Sequence, residues 1–377
     1  MTILLRDVRP VDADGFGAVT GTGAPDTTVD VVVEAGRIAR IEAPGTTSTA
    51  GAGGVHTVID GDGRLLLPGF VDAHSHADGL LFEPDVPLGL LRQGITTVIG
   101  GQDGVSYAPG DGAYAGEYFA AINGRHPGYR GGGVDALLAG YDGTTPLNAG
   151  YLVPAGTVRH EVCGRSTDAS SPAQLEEMRA LVADGLAAGA LGLSTGLDYV
   201  PGVFASTAEL AALAEPVAAA GGIYVSHLRG GYEANSRAGT DEAAAIARHS
   251  GVAVHVSHFH AEPAIVHDLM RELAASGVDA TFDAYPYTRG CSILAMPILP
   301  AHLTVRPTDE VLAVLADPAE REALLRDWFP TIVEYPSLGP DWPAMLTLAH
   351  VAAPEYAWTH GLTLAEAARR ALSLIHI

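Results

Sequence analysis

The 377-residue sequence predicts an α/β fold: a TIM-like (β/α) barrel preceded by a small β-unit. Three observations predict it. Residues 1–67 hold short strand patterns with turn signals and no helical period. From Pro68 to Tyr287, apolar strand runs alternate with helical patterns, which argues for a parallel sheet. After Tyr287 the alternation stops.

In the first stretch, Val29–Val33 leads through Glu34-Ala35-Gly36 to Arg37–Ile41, a hairpin pattern. A Gly/Thr/Ala-rich loop over Pro44–Gly54 follows, then Thr57–Asp60 and Leu65–Leu67. Residues 1–67 are therefore expected to form the N-terminal part of a small β-sandwich. Residues 68–289 carry seven candidate barrel strands: Phe70–His74, Ile95–Gly100, Asn148–Val153, Ala190–Ser194, Gly222–His227, Val252–His258 and Val278–Tyr285. Helical patterns at Pro172–Ala188, Thr207–Ala220, Thr240–Ser250 and Ala264–Ser276 lie between several of them. A doubly wound open sheet is the rival architecture. It expects a glycine-rich phosphate turn after the first strand, where this sequence has His-Ser-His.

A closed barrel of this type needs eight strands, and the eighth is expected to be missing from this sequence. Residues 290–350 read as an inserted subdomain or lid, with one helix expected over Asp309–Phe329. Residues 351–371 end in a helix over Thr363–Ala371 that leads towards the missing strand. The final six residues, 372–377, break the Ala/Arg-rich style before them. They are expected to be a non-native tail on a truncated reading frame.

Composition excludes several chemistries. The 21 basic residues are all arginine, against 44 acidic ones, for a net charge of −23. Without lysine there is no P-loop lysine, no Schiff base and no carbamylated-lysine metal bridge. The acidic balance argues against nucleic acid and against an anionic membrane surface. Two cysteines, Cys163 and Cys291, cannot build a disulfide framework. The expectation is a soluble, cytoplasmic protein with no membrane partner.

The chemistry concentrates in histidines at strand ends. In Pro68-Gly69-Phe70-Val71-Asp72-Ala73-His74-Ser75-His76, the period of a strand sends His74 and His76 to the same side. At the C-terminal end of a first barrel strand, both point into the mouth, where such barrels place their sites. Neutral imidazole pairs suit divalent metals, and Asp72 is a candidate to orient one ring. Tyr224-Val225-Ser226-His227 and Val256-Ser257-His258 are two further strand ends aimed at the same rim. His255 has the opposite parity to His258 and is expected on the helix-packing side. His260 shares the parity of His258; it is a candidate substrate contact, with solvent exposure as the alternative.

The opening run resembles that of the amidohydrolase superfamily. Three further stretches resemble the D-aminoacylase (N-acyl-D-amino-acid deacylase) family: Gly189–Gly202 with Ser194-Thr195-Gly196-Leu197-Asp198-Tyr199, Gly222–Arg229, and Asp283-Ala284-Tyr285-Pro286-Tyr287-Thr288. The resemblance implies a metal-dependent barrel holding one or two divalent ions, zinc foremost, and hydrolysing the amide of a small-molecule N-acyl-D-amino acid. It maps metal ligands onto His74, His76, His227 and His258. It also places a cysteine ligand after strand 2, where this sequence has Gly101-Gln102-Asp103-Gly104. Asp103 is the candidate replacement, an ordinary turn residue being the alternative.

Other family positions differ too. His260 stands where relatives often carry a carboxylate-binding lysine, and Ala155 replaces an expected histidine after strand 3. Tyr285 and Tyr287 are candidate substrate donors, aromatic packing being the alternative. Arg229 and Arg289 are candidates for pairing the substrate carboxylate, solvated surface charge being the alternative. The resemblance implies a general-base aspartate at the end of strand 8. Asp309, Asp317, Asp327 and Asp341 all lie in helical or proline-rich contexts, so the catalytic base is unassigned. Two other functions stand beside the leading one: a cyclic-amide hydrolase of hydantoinase or dihydroorotase type, and a catalytically incomplete metal-binding fragment.

Overall fold

The computed structural model of the chain describes residues 1–12, 15–16, 27–47, 57–335 and 338–375. The loop expected over Pro44–Gly54 lies outside the described residues from 48 onward, as do His376 and Ile377 of the expected tail. Two compact units result, Met1–Phe70 and Val71–Ile377.

The first unit is a small sheet. Strand β1 (Thr2–Asp12) pairs antiparallel with β2 (Gly15–Phe16) and β3 (Val29–Glu34), and β3 pairs antiparallel with β4 (Arg37–Glu42). The β3–β4 turn uses Ala35 and Gly36, both at positive φ, as a tight two-residue hairpin requires. Strands β5 (Thr57–Asp60) and β6 (Leu65–Leu66) run parallel to β1. Its length makes β1 the organising strand, yet Arg6, Asp7, Arg9 and Pro10 hide it in the sequence. Asp7 has φ of 52° where the register with β3 shifts, so the strand passes its charges through a bulge.

The second sheet has seven strands in the order β13-β12-β11-β10-β9-β8-β7. They are β7 (Phe70–Asp72), β8 (Ile95–Gly100), β9 (Asn148–Pro154), β10 (Gly192–Gly196), β11 (Ile223–His227), β12 (Ala253–Val256) and β13 (Ala280–Phe282). Every neighbouring pair from β8 to β13 is parallel. The sheet must curl strongly. Five strand spacings separate β7 from β12, about 24 Å if flat, yet the rings of His74 and His258, just beyond those two strands, have centroids 5.0 Å apart. The expected TIM-like (β/α) architecture is therefore present as a curled parallel sheet. Among the described residues, no eighth strand joins it.

Helices cover one face. Tyr224, Val254 and Val256 share a core cluster with Leu213, Val217, Ile246 and Leu269 from three of them. Helix Pro172–Ala187 starts with a capping box, Ser171 and Gln174 satisfying each other's backbone donors. The expectation for His255 is corrected here. Register pairs Val225 with His255 and His255 with Thr281, on the face opposite Tyr224, Val254 and Val256. His255 thus lines the inner face. Strand β12 ends at Val256, and His258 sits in a turn with φ of 34°, so counting parity through to His258 fails.

The helix expected over Asp309–Phe329 is corrected to several pieces: Thr308–Ala316, Pro318–Ala323, a wide turn Leu324–Trp328, and Phe329–Ile332. Pro318 lacks an N–H and clashes with the preceding turn. The chain restarts there, with the Asp317 side chain accepting from the N–H of Ala319 at 2.8 Å. These pieces bury a small cluster around Leu299, Leu303 and Leu324. A last helix, Leu364–Ile375, has its own capping box between Thr363 and Glu366. Among the described residues, no helix is long and apolar enough to cross a membrane.

Candidate metal centre

Four imidazoles converge on one carboxylate at the C-terminal rim of the curled sheet. His74 and His76 follow β7, His227 ends β11, and His258 follows β12. Asp103 lies between them and is 3% exposed. Its Oδ1 is 3.6 Å from His74 Nε2 and 3.5 Å from His258 Nε2. Its Oδ2 is 3.4 Å from His76 Nε2 and 3.9 Å from His227 Nδ1. His74, Asp103 and His258 each offer a ligand atom within 4.8 Å of the others.

The loop after β8 is built to deliver Asp103. Gly101, Asp103 and Gly104 all have positive φ, a region that aspartate tolerates better than most residues. A Cβ at Gly104 would lie 2.7 Å from the backbone N of Gly196, so the turn packs backbone against backbone. Gln102 Nε2 donates to the carbonyls of Ala73 and Ile99, stitching the turn to both strand ends. Buried Asp78 accepts from the N–H of Gly101 and from Ser106 Oγ. Burial raises the pKa of the Asp78 carboxyl despite these donors.

Two of the other ring nitrogens are hydrogen-bonded elsewhere. His76 Nδ1 meets Asn123 Oδ1 at 2.8 Å. His227 Nε2 meets Asp198 Oδ2 at 3.2 Å. His74 Nδ1 is 3.3 Å from Asp283 Oδ2, within ion-pair distance but off the hydrogen-bond line. These acceptors select the tautomers that leave His76 Nε2 and His227 Nδ1 as lone pairs facing inward. Asp283 is shared further: its Oδ2 is 2.8 Å from His255 Nε2, and its Oδ1 accepts from the backbone N–H of His258 at 2.6 Å. Asp72 accepts from the backbone N–H of His74 and orients no ring.

Electrostatics follow from this crowding. Burial opposes the charge on Asp103, but His258 and His74 outweigh it and hold the carboxyl well below its usual range. Burial pushes His258 down to about 4. Burial also opposes charge on His227, yet Asp198 and then Asp103 raise it overall. His76 is raised in the same way, with Asp103 the main opponent of burial. Asp283 is lowered, its imidazole neighbours overcoming burial.

The substrate candidates divide. Tyr285 packs beside the rim, its ring 6.2 Å from His258 and 6.3 Å from His260. His260 is half-buried, bonded to the His258 carbonyl and packed at 4.6 Å against the Tyr232 ring, tilted by 36°. Tyr287 is 72% exposed and stacks on Tyr285. The Arg229 guanidinium is already engaged: it bonds Glu242 and the carbonyls of Val203 and Ala205. Arg289 is exposed and bonds Thr347 Oγ1. Asp309, Asp317 and Asp327 serve helix ends or surface pairs. The sequence reading gave no site role to Asp198, Asp283, Asn123 or Tyr335. Asp198 and Asp283 lie inside the motifs that carried the resemblance, which was the available signal. Asn123 and Tyr335 had none.

Fold and rim together define a (β/α)-barrel-type protein with a histidine–carboxylate centre at the C-terminal ends of its strands. The chain belongs to the amidohydrolase family, whose profile matches residues 57–308. It is 32% identical over 312 residues to the D-aminoacylase of Alcaligenes xylosoxydans xylosoxydans, covering 76% of this chain and 60% of that one. An N-acyl-D-glutamate deacylase from Bordetella bronchiseptica, solved with zinc and a phosphonate mimic of the tetrahedral intermediate, aligns with a TM-score of 0.64 at 30% identity. A D-aminoacylase structure described by its binuclear metal centre aligns with a TM-score of 0.64 at 27% identity. Each structural alignment covers 76% of this chain and 58% of the other. The chain thus spans about three fifths of the length of these relatives.

Proposed function

We propose that His74, His76, Asp103, His227 and His258 hold one or two divalent ions, zinc foremost, and that the protein hydrolyses the amide bond of N-acyl-D-amino acids. One observation carries the metal reading. His74 Nε2 and His76 Nε2 lie 3.3 Å apart, and His227 Nδ1 and His258 Nε2 lie 3.2 Å apart. With tautomers set by Asn123 and Asp198, His76 Nε2 and His227 Nδ1 present lone pairs beside one buried carboxylate. A divalent cation would accept those lone pairs and satisfy Asp103 Oδ1, which is buried without a hydrogen-bond partner. The all-nitrogen-and-oxygen donor set also admits cobalt or manganese beside zinc.

Bound there, the ion supplies Lewis acidity and a lowered water pKa. The chain's own residues do the rest. Each Asp103 oxygen faces one ring of each imidazole pair, Oδ1 facing His74 and His258 and Oδ2 facing His76 and His227. Asp198, Asp283 and Asn123 keep the rings turned. Tyr285 and His260 form an aromatic wall beside His258, which places a donor where a substrate carbonyl or carboxylate would rest. Arg229 is committed to Glu242 and to the carbonyls of Val203 and Ala205. Similarity to deacylases of D-amino-acid derivatives points to linear amides over cyclic ones. The absence of lysine removes the bridge that many cyclic-amide hydrolases use. With Cys163 and Cys291 both free thiols, we assign the protein to the cytoplasm.

The test is metal analysis of the purified chain with hydrolysis of N-acetyl-D-methionine, N-acetyl-D-glutamate, their L-enantiomers and a hydantoin. Bound zinc with release of the D-amino acid alone supports the reading. Metal bound with no turnover of any amide leaves a metal-binding fragment instead. Turnover of the hydantoin alone reassigns the substrate class.

A further inference from the structure

The helical segment after the seventh strand reaches the histidine centre through one hydroxyl. Tyr335 follows helix Phe329–Ile332, and its OH donates to Asp198 Oδ2 at 3.1 Å. That same oxygen faces His227 Nε2 at 3.2 Å, while Asp198 Oδ1 accepts from the N–H of Gly230 at 2.7 Å. Asp198 is tied to the end of β11 by the backbone as well, Leu197 N–H donating to the His227 carbonyl at 3.1 Å. The Tyr335 ring seats on Gly231, where a Cβ would lie 3.4 Å from the ring edge. Burial, then Asp198, push the phenol up, so the hydroxyl keeps its proton and remains a donor.

A carboxylate that accepts one hydrogen bond from a ring and nothing else swings about its own χ angles. A second donor on the same oxygen removes that freedom. Asp198 has a donor on each oxygen besides the imidazole, and the one on the imidazole's side comes from a segment distant in sequence. We infer that Tyr335 is a positioning residue for the metal centre: by holding Asp198 it fixes the tautomer and orientation of His227, and so couples the segment around residues 329–335 to metal affinity. This rests on the reading of His227 as a metal ligand.

The experiment is a cobalt titration of the metal-free full chain, followed by the visible absorption of bound Co²⁺ and its dissociation constant. It uses the wild type, Tyr335→Phe, Asp198→Asn and the double variant, each checked for folding by thermal unfolding. Outer partners of ligating histidines contribute about 10- to 100-fold in affinity. Tyr335→Phe is expected at the low end of that range, about tenfold weaker, and Asp198→Asn towards the high end, about 100-fold. Both are expected to shift the Co²⁺ band, and the double variant should match Asp198→Asn alone. A Tyr335→Phe protein with wild-type affinity and an unchanged spectrum overturns the inference. So does a Tyr335→Phe effect of undiminished size in the Asp198→Asn background, because the hydroxyl would then act by another route. Failure of the wild type to bind Co²⁺ overturns the metal centre itself and the inference with it. Bound Co²⁺ with no amide turnover overturns only the assigned activity, since Tyr335 is judged by affinity and spectrum.

Discussion

The two imidazole pairs of the rim are assembled differently. His74 and His76 sit two residues apart beyond one strand, so covalent geometry brings their Nε2 atoms to 3.3 Å. His227 and His258 sit at the ends of neighbouring strands, and only the β11–β12 pairing brings them to 3.2 Å. The first pair is held by Asn123 and Asp283, the second by Asp198 and, behind it, Tyr335. One pair is a property of a short peptide and the other of a folded sheet. Asp103 is the only described carboxylate within 4 Å of ring nitrogens from both.

The largest effect is therefore expected from Asp103→Ala, which removes the shared anion. Isothermal titration with Zn²⁺ should show affinity down by more than about 100-fold, beyond the range for outer partners. A variant that still binds two ions at wild-type affinity would show that the pairs are independent sites. Next comes Asp283→Asn, which sits behind His74 and also anchors the backbone of His258. It should weaken metal binding by about 10- to 100-fold and lower stability by about 1–2 kcal/mol, from a hydrogen-bonded, half-buried carboxylate replaced by an amide. Urea unfolding of the metal-free protein reads the second number. Loss confined to one metal equivalent would sharpen the division between pairs; loss of both would blur it.

A smaller effect separates the two members of the second pair by pH. In the metal-free protein, His258 titrates near 4, below the value of about 6.5 expected when unfolded. The unfolded chain then binds more protons between those values, so this group makes stability rise with pH from about 4 to 6.5. His227 is raised. Its contribution is present below its unfolded pKa and is lost as pH rises through the folded one. The two slopes have opposite signs and lie in adjacent windows, below and above about pH 6.5. His227→Gln removes the second, so above about pH 6.5 the variant's urea midpoint should fall less steeply than the wild type's, while the rise below that pH is kept. Equal slopes above about pH 6.5 would refute this assignment. The smallest effect is expected from His255→Asn, which keeps a donor near Asp283 but shortens the reach. Zn²⁺ affinity should fall by a factor of a few, less than for Asp283→Asn, because His255 acts only through that carboxylate.

Much of the centre was legible because strand periodicity and strand ends are local properties. His74, His76, His227 and His258 all followed from apolar runs that finish in histidine. His255 shows where that reasoning stops. Parity holds only while the chain stays extended, and the turn at His258 resets it. Asp198, Asp283 and Tyr335 depend on contacts between distant segments, which a period cannot report. The split of the helix expected over Asp309–Phe329 was legible in Asp317-Pro318, a cap followed by a residue that cannot continue a helix. Strand β1 was hidden because a bulge carries its charged residues.

The curl of the sheet also constrains the order of assembly. The five donors come from strand ends spread from β7 to β12, and none of the intermediate pairings alone gathers them. A chain in which only neighbouring strands have met holds the donors as two separate groups, His74, His76 and Asp103 beyond β7 and β8, and His227 with His258 beyond β11 and β12. Bringing the two groups together requires the slow, non-local part of folding to be complete. At the proposed centre, metal capture would then be a late event that reports native curvature. A bound ion would stabilise the finished sheet by mass action and do little to guide the chain towards it.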